Sequence, residues 1–210
     1  MNNCYLDAEA VITFFRMTGR KHIFITGSRG SGKSHLVNNM LKHMSDSFNL
    51  LQSHRTDTPQ VVIKSNLVAD NKEFVIGVPR TSGINPASKG NNMTIIEDGF
   101  INCAIPAIDT HLDTTPERLF VIDELGYLES SCIPFQKAVE KLLDNSHVLA
   151  VIRKQSTEFL NRICNRKDVL VIDIDNTFET LSCIIMASGM SKRFGSNKLI
   201  TDFNGRSLFE

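Results

Sequence analysis

Apolar residues recur along this chain in two rhythms, and the changes between them mark its elements. Leu6, Ala10, Val11, Phe14 and Met17 recur at helical spacing and predict a helix over 6–17 that Gly19 ends. The run His22-Ile23-Phe24-Ile25-Thr26 predicts a strand, and Leu36, Val37, Met40 and Leu41 predict a helix over 34–43. The stretch 50–59 reads as polar and irregular. Strands are predicted over 61–64 and 74–77, joined by a polar turn at Asp70 and Asn71. Pro79 to Asn92, punctuated by Gly83, Pro86 and Gly90, reads as a long loop before a short strand over 93–96. A helix over 104–112 begins or breaks near Pro106. Strand, helix, strand, helix and strand follow over 119–124, 134–143, 148–152, 157–164 and 169–172. Strands this uniformly apolar belong in a sheet covered on both faces, so the alternation predicts an α/β fold with a doubly wound, mostly parallel sheet.

The candidate chemistry sits where strands end. Gly27-Ser28-Arg29-Gly30-Ser31-Gly32-Lys33-Ser34, followed by His35, joins the first strand to the second helix and fits a Walker A phosphate loop at every fixed position. In such a loop, glycines let backbone N–H groups converge on a polyphosphate and the helix N-terminus adds partial positive charge. Lys33 would reach the β- and γ-phosphates, and the Ser34 hydroxyl would ligate Mg²⁺. The alternative is a glycine-rich surface turn. Leu119-Phe120-Val121-Ile122 ends in Asp123 and Glu124, and ligands of parallel sheets bind beyond the strands' carboxyl ends. Asp123 therefore fits a Walker B metal acid, and Glu124 is placed to polarise an attacking water; two acids capping a strand in solvent are the alternative. Arg153 would end another strand, where it could approach a γ-phosphate or equally be a solvated arginine at a strand end. Arg162 and Arg166 read as surface charges on one face of the helix that follows.

Composition narrows the setting. Lys plus Arg and Asp plus Glu are equal at 23 each, so no whole-chain field draws the protein to nucleic acid or an anionic membrane. The five cysteines form no Cys-x-x-Cys pair and read as thiols of a reducing compartment. No apolar run approaches the roughly 20 residues of a membrane span, and the polar N-terminus has neither signal nor transit character. The expected location is the cytoplasm.

The phosphate loop, the stretch Leu-Phe-Val-Ile-Asp-Glu-Leu-Gly-Tyr-Leu-Glu from Leu119 to Glu129, Phe135, the strand 148–152 and Arg166-Lys167-Asp168-Val169 together resemble the small nucleoside-triphosphatase family NTPase_1. The resemblance spans about residues 20–175. It implies a compact three-layer P-loop fold of RecA-like type and slow, Mg²⁺-dependent hydrolysis of ATP, GTP and other nucleoside triphosphates. It carries Gly27, Gly32, Lys33 and Ser34 over as phosphate and Mg²⁺ contacts, Asp123 and Glu124 as metal-linked and catalytic acids, and Glu129 as the family's trailing acid. Between Val78 and Phe100 the chain departs from the family's glycine- and arginine-rich stretch, which leaves the base preference open.

Beyond Asn176 the register changes. Cys183-Ile184-Ile185-Met186-Ala187, then Ser188-Gly189-Met190-Ser191-Lys192-Arg193-Phe194-Gly195-Ser196-Asn197-Lys198-Leu199, resembles the opening strand and loop of MobA-like nucleotidyltransferases, most of all the molybdenum cofactor cytidylyltransferases. Gly189, Arg193 and Lys198 would then form a second nucleotide loop, and residues 202–208 a short hairpin. The expected organisation is a P-loop domain over 1–176, then a linker and the truncated start of a transferase over 177–210. The leading expectation is hydrolysis of ATP or GTP with Lys33 and Glu124 catalytic. A small-molecule or nucleic-acid kinase, with Arg80 and Lys89 on a lid, and a nucleotide-gated partner in molybdenum cofactor maturation are the alternatives.

Overall fold

Each β-strand of the first unit lies in one eight-stranded sheet whose order is β5-β4-β3-β2-β6-β7-β1-β8. The computed structural model describes residues 7–44, 47–80 and 93–176, and the backbone of 202–203 and 206–207. In chain order the elements are α1 (Ala8–Thr18), β1 (His22–Gly27), α2 (Lys33–Met44), β2 (Phe48–Arg55), β3 (Val61–Ser65), β4 (Phe74–Pro79) and β5 (Met93–Ile95). Then come α3 (Glu97–Gly99), a π-helical turn (Phe100–Ala104), α4 (Ile105–Thr114), β6 (Leu119–Leu125), α5 (Ile133–Asn145), β7 (His147–Arg153), α6 (Glu158–Cys164) and β8 (Val169–Asp173). The chain divides into two units, Met1–Thr177 and Phe178–Glu210. In the second, β9 (Asp202–Phe203) and β10 (Arg206–Ser207) pair antiparallel. The loop residues Gly189, Arg193 and Lys198, and the lid candidate Lys89, lie outside the described residues.

The sheet is mixed. β8, β1, β7, β6 and β2 run parallel, whereas β3, β4 and β5 continue antiparallel from β2. The helices cover both faces. Ala8, Val11 and Ile12 of α1 and Leu36, Val37 and Met40 of α2 pack on Ile23, Ile25, Val121, Leu149 and Val151. The opposite core joins Phe24, Phe120, Ile122 and Ala150 to Phe100, Ile108, Phe135, Val139, Phe159 and Ile163. Burying each of these Val, Leu, Ile, Met and Phe side chains contributes roughly 1.5–3 kcal/mol, so helices on both faces hold the central strands and fix where their carboxyl ends emerge.

Three local expectations are corrected. The stretch 50–59, read as irregular, carries most of β2, which pairs with β3 on one side and β6 on the other. Its polar end escaped the periodicity because Gln52 and Ser53 face a cavity rather than the core. The helix expected over 104–112 is α4, with Pro106 in its first turn, but helical structure already starts upstream at Glu97. Proline lacks an N–H and its ring clashes with the carbonyl four residues back; the π turn, closed by the Ile105 N–H on the Phe100 carbonyl, widens the helix just before it. Arg166 follows α6 rather than sharing its face with Arg162. Its guanidinium donates to both carboxylate oxygens of Asp168, at 2.9 and 2.8 Å, and to Asp144 at 2.9 Å.

His22 opens β1 fully buried, and burial pushes its pKa down from 6.5 to about 4. Neither ring nitrogen is hydrogen-bonded among the described residues, although Asp168 Oδ2 stands 3.4 Å from Nε2. The folded protein therefore holds a neutral imidazole that the unfolded chain would protonate. The stability that follows is present above about pH 6.5 and is lost as the pH falls through 4, by about 3 kcal/mol in all. Melting temperatures of the wild type and His22→Leu between pH 7.5 and 4.5 should show a shallower acid decline in the variant.

Candidate active site

The phosphate loop is built by the end of β1 and the start of α2. Gly30 and Gly32 have φ of 78° and 92°, a region that side-chain-bearing residues avoid and that anion-binding turns of the backbone use. The loop borders a cavity of about 700 Å³ whose wall includes Gly27, Ser28, Arg29, Gly30, Gly32, Lys33, Ser34 and His35. Ser31 differs from its neighbours in turning inward: its Oγ is buried with no hydrogen-bond partner among the described residues. Lys33 Nζ donates to the Gly27 and Ser28 carbonyls at 2.9 and 2.7 Å. Asp175, just past β8, ties the loop from outside by accepting from the Ser28 N–H at 2.7 Å and its hydroxyl at 3.0 Å. Lys154 Nζ pairs with Asp175 at 3.0 Å and Asp173 at 2.8 Å. The Lys154 and Ser28 hydrogen bonds hold the Asp175 carboxyl below its ordinary range.

Two strands away stand the acids. β7 lies between β1 and β6, so their ends are separated by about 10 Å, a span for phosphates rather than for direct contact. The register places Arg153 opposite Gly27 and Gln52 opposite Asp123. Asp123 and Glu124 are half-buried, and the peptide bond joining them is cis. Burial pushes the Asp123 carboxyl up; Gln52 Nε2, 3.4 Å from Oδ2, and the Lys33 charge oppose that rise, and the Glu124 charge adds to it. Glu124 Oε1 accepts from Arg153 Nε at 2.5 Å. A second cavity of about 300 Å³ is lined by Ser34, Gln52, Ser53, Asp123, Glu124, Tyr127 and Glu129. Glu124 and Arg153 border both cavities.

The donor set fits Mg²⁺, which takes hard oxygens, keeps several waters and binds through one or two carboxylates plus phosphate. Ser34 Oγ and the Asp123 carboxylate share the smaller cavity, and Asp123 is a carboxylate whose charge water solvates poorly. Among the described residues no group of three or more His, Cys, Asp and Glu side chains forms a metal site by itself. A cation here would complete its shell from substrate and solvent.

The loop residues and both acids thus reach one edge of the sheet, as their strand-end positions implied. Arg153, read as equally a solvated arginine, is paired with Glu124. Arg162 is engaged elsewhere, with Glu140 and Gln136 on α5, and Arg80 is exposed at the end of β4. Sequence reasoning missed Gln52, Ser53, Lys154 and Asp175. No local signal marks them, because each meets the site through contacts that only the fold brings together.

The sequence profile of the NTPase family matches residues 22–182. The nucleoside-triphosphatase THEP1 of Thermotoga sp. strain RQ2 is 26% identical over 155 residues, covering 73% of this chain and 86% of that protein. THEP1 of Thermotoga maritima is 23% identical over 154 residues, with 73% and 86% covered. The crystal structure of THEP1 from Aquifex aeolicus superposes with a TM-score of 0.58 at 18% identity, covering 74% of this chain and 91% of that one. The solution structure of a human cancer-related nucleoside triphosphatase gives 0.54 at 19%, with 76% and 92% covered. These two establish the fold.

Burial pushes the Glu129 carboxyl up from 4.5 to about 7, so its charged form is the costly one in the folded protein. The stability from this site is whole below about pH 4.5 and is lost as the pH rises through 7. Glu129→Gln, which never carries the charge, should melt above the wild type at pH 8, with the gap closing toward pH 4.5. Thermal melts at the two pH values check this.

Proposed function

The chain belongs to the NTPase family and is a nucleoside-triphosphatase, and from that premise we propose that it hydrolyses ATP or GTP to the diphosphate and phosphate at the edge shared by β1, β6 and β7. The observation that carries this reading is that Ser34 of the phosphate loop lines one cavity with Asp123 and Glu124. The loop N–H groups and Lys33 would take up the β- and γ-phosphates, with Lys33 exchanging its two loop carbonyls for phosphate oxygens. Glu124 accepts a proton from water as the water oxygen bonds to the γ-phosphorus. The bond to the bridging oxygen breaks, and the diphosphate leaves. Arg153, paired with Glu124 beside Gly27, orients that carboxylate and offers positive charge to the transferred group. When bound through Ser34 and Asp123, Mg²⁺ supplies charge neutralisation at the phosphates.

An acceptor other than water has one observation in its favour. The cavity of about 300 Å³ beside Glu124 far exceeds the roughly 30 Å³ share of one water. The polar composition and the thiols support a cytoplasmic location, and among the described residues no helix is long and apolar enough to cross a membrane. The MobA-like character of residues 183–199 supports a link to molybdenum cofactor maturation, with the P-loop unit over 1–176 acting as its own module.

Phosphate release from ATP, GTP and CTP with Mg²⁺ tests the scheme. Lys33→Ala should lose most nucleotide affinity while keeping its melting temperature, and undiminished nucleotide binding would remove the phosphate-loop assignment. Glu124→Gln should bind Mg²⁺-nucleotide as before and turn over at least about tenfold more slowly. Full turnover in that variant would remove Glu124 as the base.

A further inference from the structure

Glu129 closes the acidic stretch that begins at Asp123, and the hydrolytic scheme leaves it without a task. It opens a short 3-10 helix, Glu129–Ser131, and is 5% exposed. A carboxylate withdrawn this far from water is tolerated only where its oxygens are paired. Both have partners. Oε2 accepts from the Gly126 N–H at 2.9 Å, and Oε1 lies 3.4 Å from the Ser53 hydroxyl oxygen. That same hydroxyl accepts from the Glu124 N–H at 3.4 Å and lies 3.4 Å from the Glu124 carbonyl. Glu129 Oε2 and Arg153 Cδ each come to 3.4 Å from the point where a Cβ on Gly126 would sit. The buried carboxylate is therefore one hydrogen bond from Gly126, and one hydroxyl from the backbone of Glu124. It also shares the Gly126 turn with the stem of Arg153, whose guanidinium holds the Glu124 carboxylate.

We propose that Glu129 is a positioning residue for hydrolysis, which through Gly126 and Ser53 holds the Glu124–Gly126 backbone so that the Glu124 carboxylate faces the attacking water. The proposal rests on the reading of Glu124 as general base. Misplacing a reacting group by about 1 Å can cost a hundredfold in rate. None of the hydrogen bonds of Glu129 reaches the phosphate loop, so its loss falls on turnover and spares nucleotide binding. Glutamine keeps an oxygen for the Gly126 N–H and an N–H for the Ser53 oxygen, whereas alanine keeps neither.

Steady-state phosphate release from Mg²⁺-ATP by the full chain tests this with Glu129→Ala, Glu129→Gln, Glu124→Gln and the double variant Glu124→Gln/Glu129→Ala. In Glu129→Ala, kcat should fall at least about tenfold while KM stays within about threefold, and Glu129→Gln should keep kcat within about threefold of wild type. The double variant should be no slower than Glu124→Gln alone, because a residue that acts through Glu124 has nothing left to position. Losses that multiply in the double variant would overturn the proposal and leave Glu124 as the base. A rise in KM at unchanged kcat in Glu129→Ala, or a glutamine variant as slow as the alanine one, would also overturn it. Full turnover in Glu124→Gln would overturn both readings. Should Glu129→Ala fail to fold by circular dichroism, Ser53→Ala cuts the same link to Glu124 and takes its place: a fall in kcat that vanishes in the Glu124→Gln background supports the proposal, and losses that multiply there overturn it.

Discussion

The expense of taking charge out of water governs where this molecule can do chemistry. β6 is covered on both faces, so the four residues Leu119 to Ile122 must be apolar, and the first acids appear only where the strand leaves the core. β1 obeys the same rule on the other side of β7 and breaks into glycines where its cover ends. Among the described residues, the carboxyl edge of the parallel strands is thus where the glycine-rich loop and the two acids come within about one triphosphate's length of each other. The antiparallel strands β3 to β5 extend the sheet beyond β2, and Val61 at the start of β3, paired with Arg55, joins the lining of the smaller cavity. They help to seat β2, whose Gln52 and Ser53 stand beside the acids.

Charge within the site is balanced locally. Lys33 is held by two loop carbonyls, Arg153 by Glu124, and Lys154 by Asp173 and Asp175. Such pairing keeps long side chains in place at the mouth of a cavity, where exposed ion pairs by themselves contribute little to stability. Its value is geometric. Lys33, Arg153 and Lys154 all border the larger cavity beside the loop.

The parts legible from the chain are those with a local signature. The phosphate loop shows itself by glycines between an apolar strand and a helix, and β6 by an uninterrupted apolar run ending in two acids. β2 had no such signature, since its carboxyl end serves a cavity instead of a core. Pro106 suggested a helix start because the π turn that accommodates it leaves no mark on residue periodicity. Asp175 was invisible for another reason: its bonds to Ser28 join residues 147 positions apart, and no pattern in either neighbourhood announces the other. Glu129 could be singled out by resemblance, but its contacts with Gly126 and Ser53 are visible only in the fold.

The tie between Asp175 and Ser28 also sets an order of events during synthesis. β1 leaves the ribosome well before both of its sheet partners, β7 and β8. Contacts this distant in sequence carry a loop-closure penalty and form late. A nascent chain that has already made its glycine loop therefore lacks the flanking strands and the carboxylate that hold the loop in shape. Nucleotide binding should be acquired only when β8 and the residues just after it have emerged, so that the earliest-made part of the site is the last to become competent.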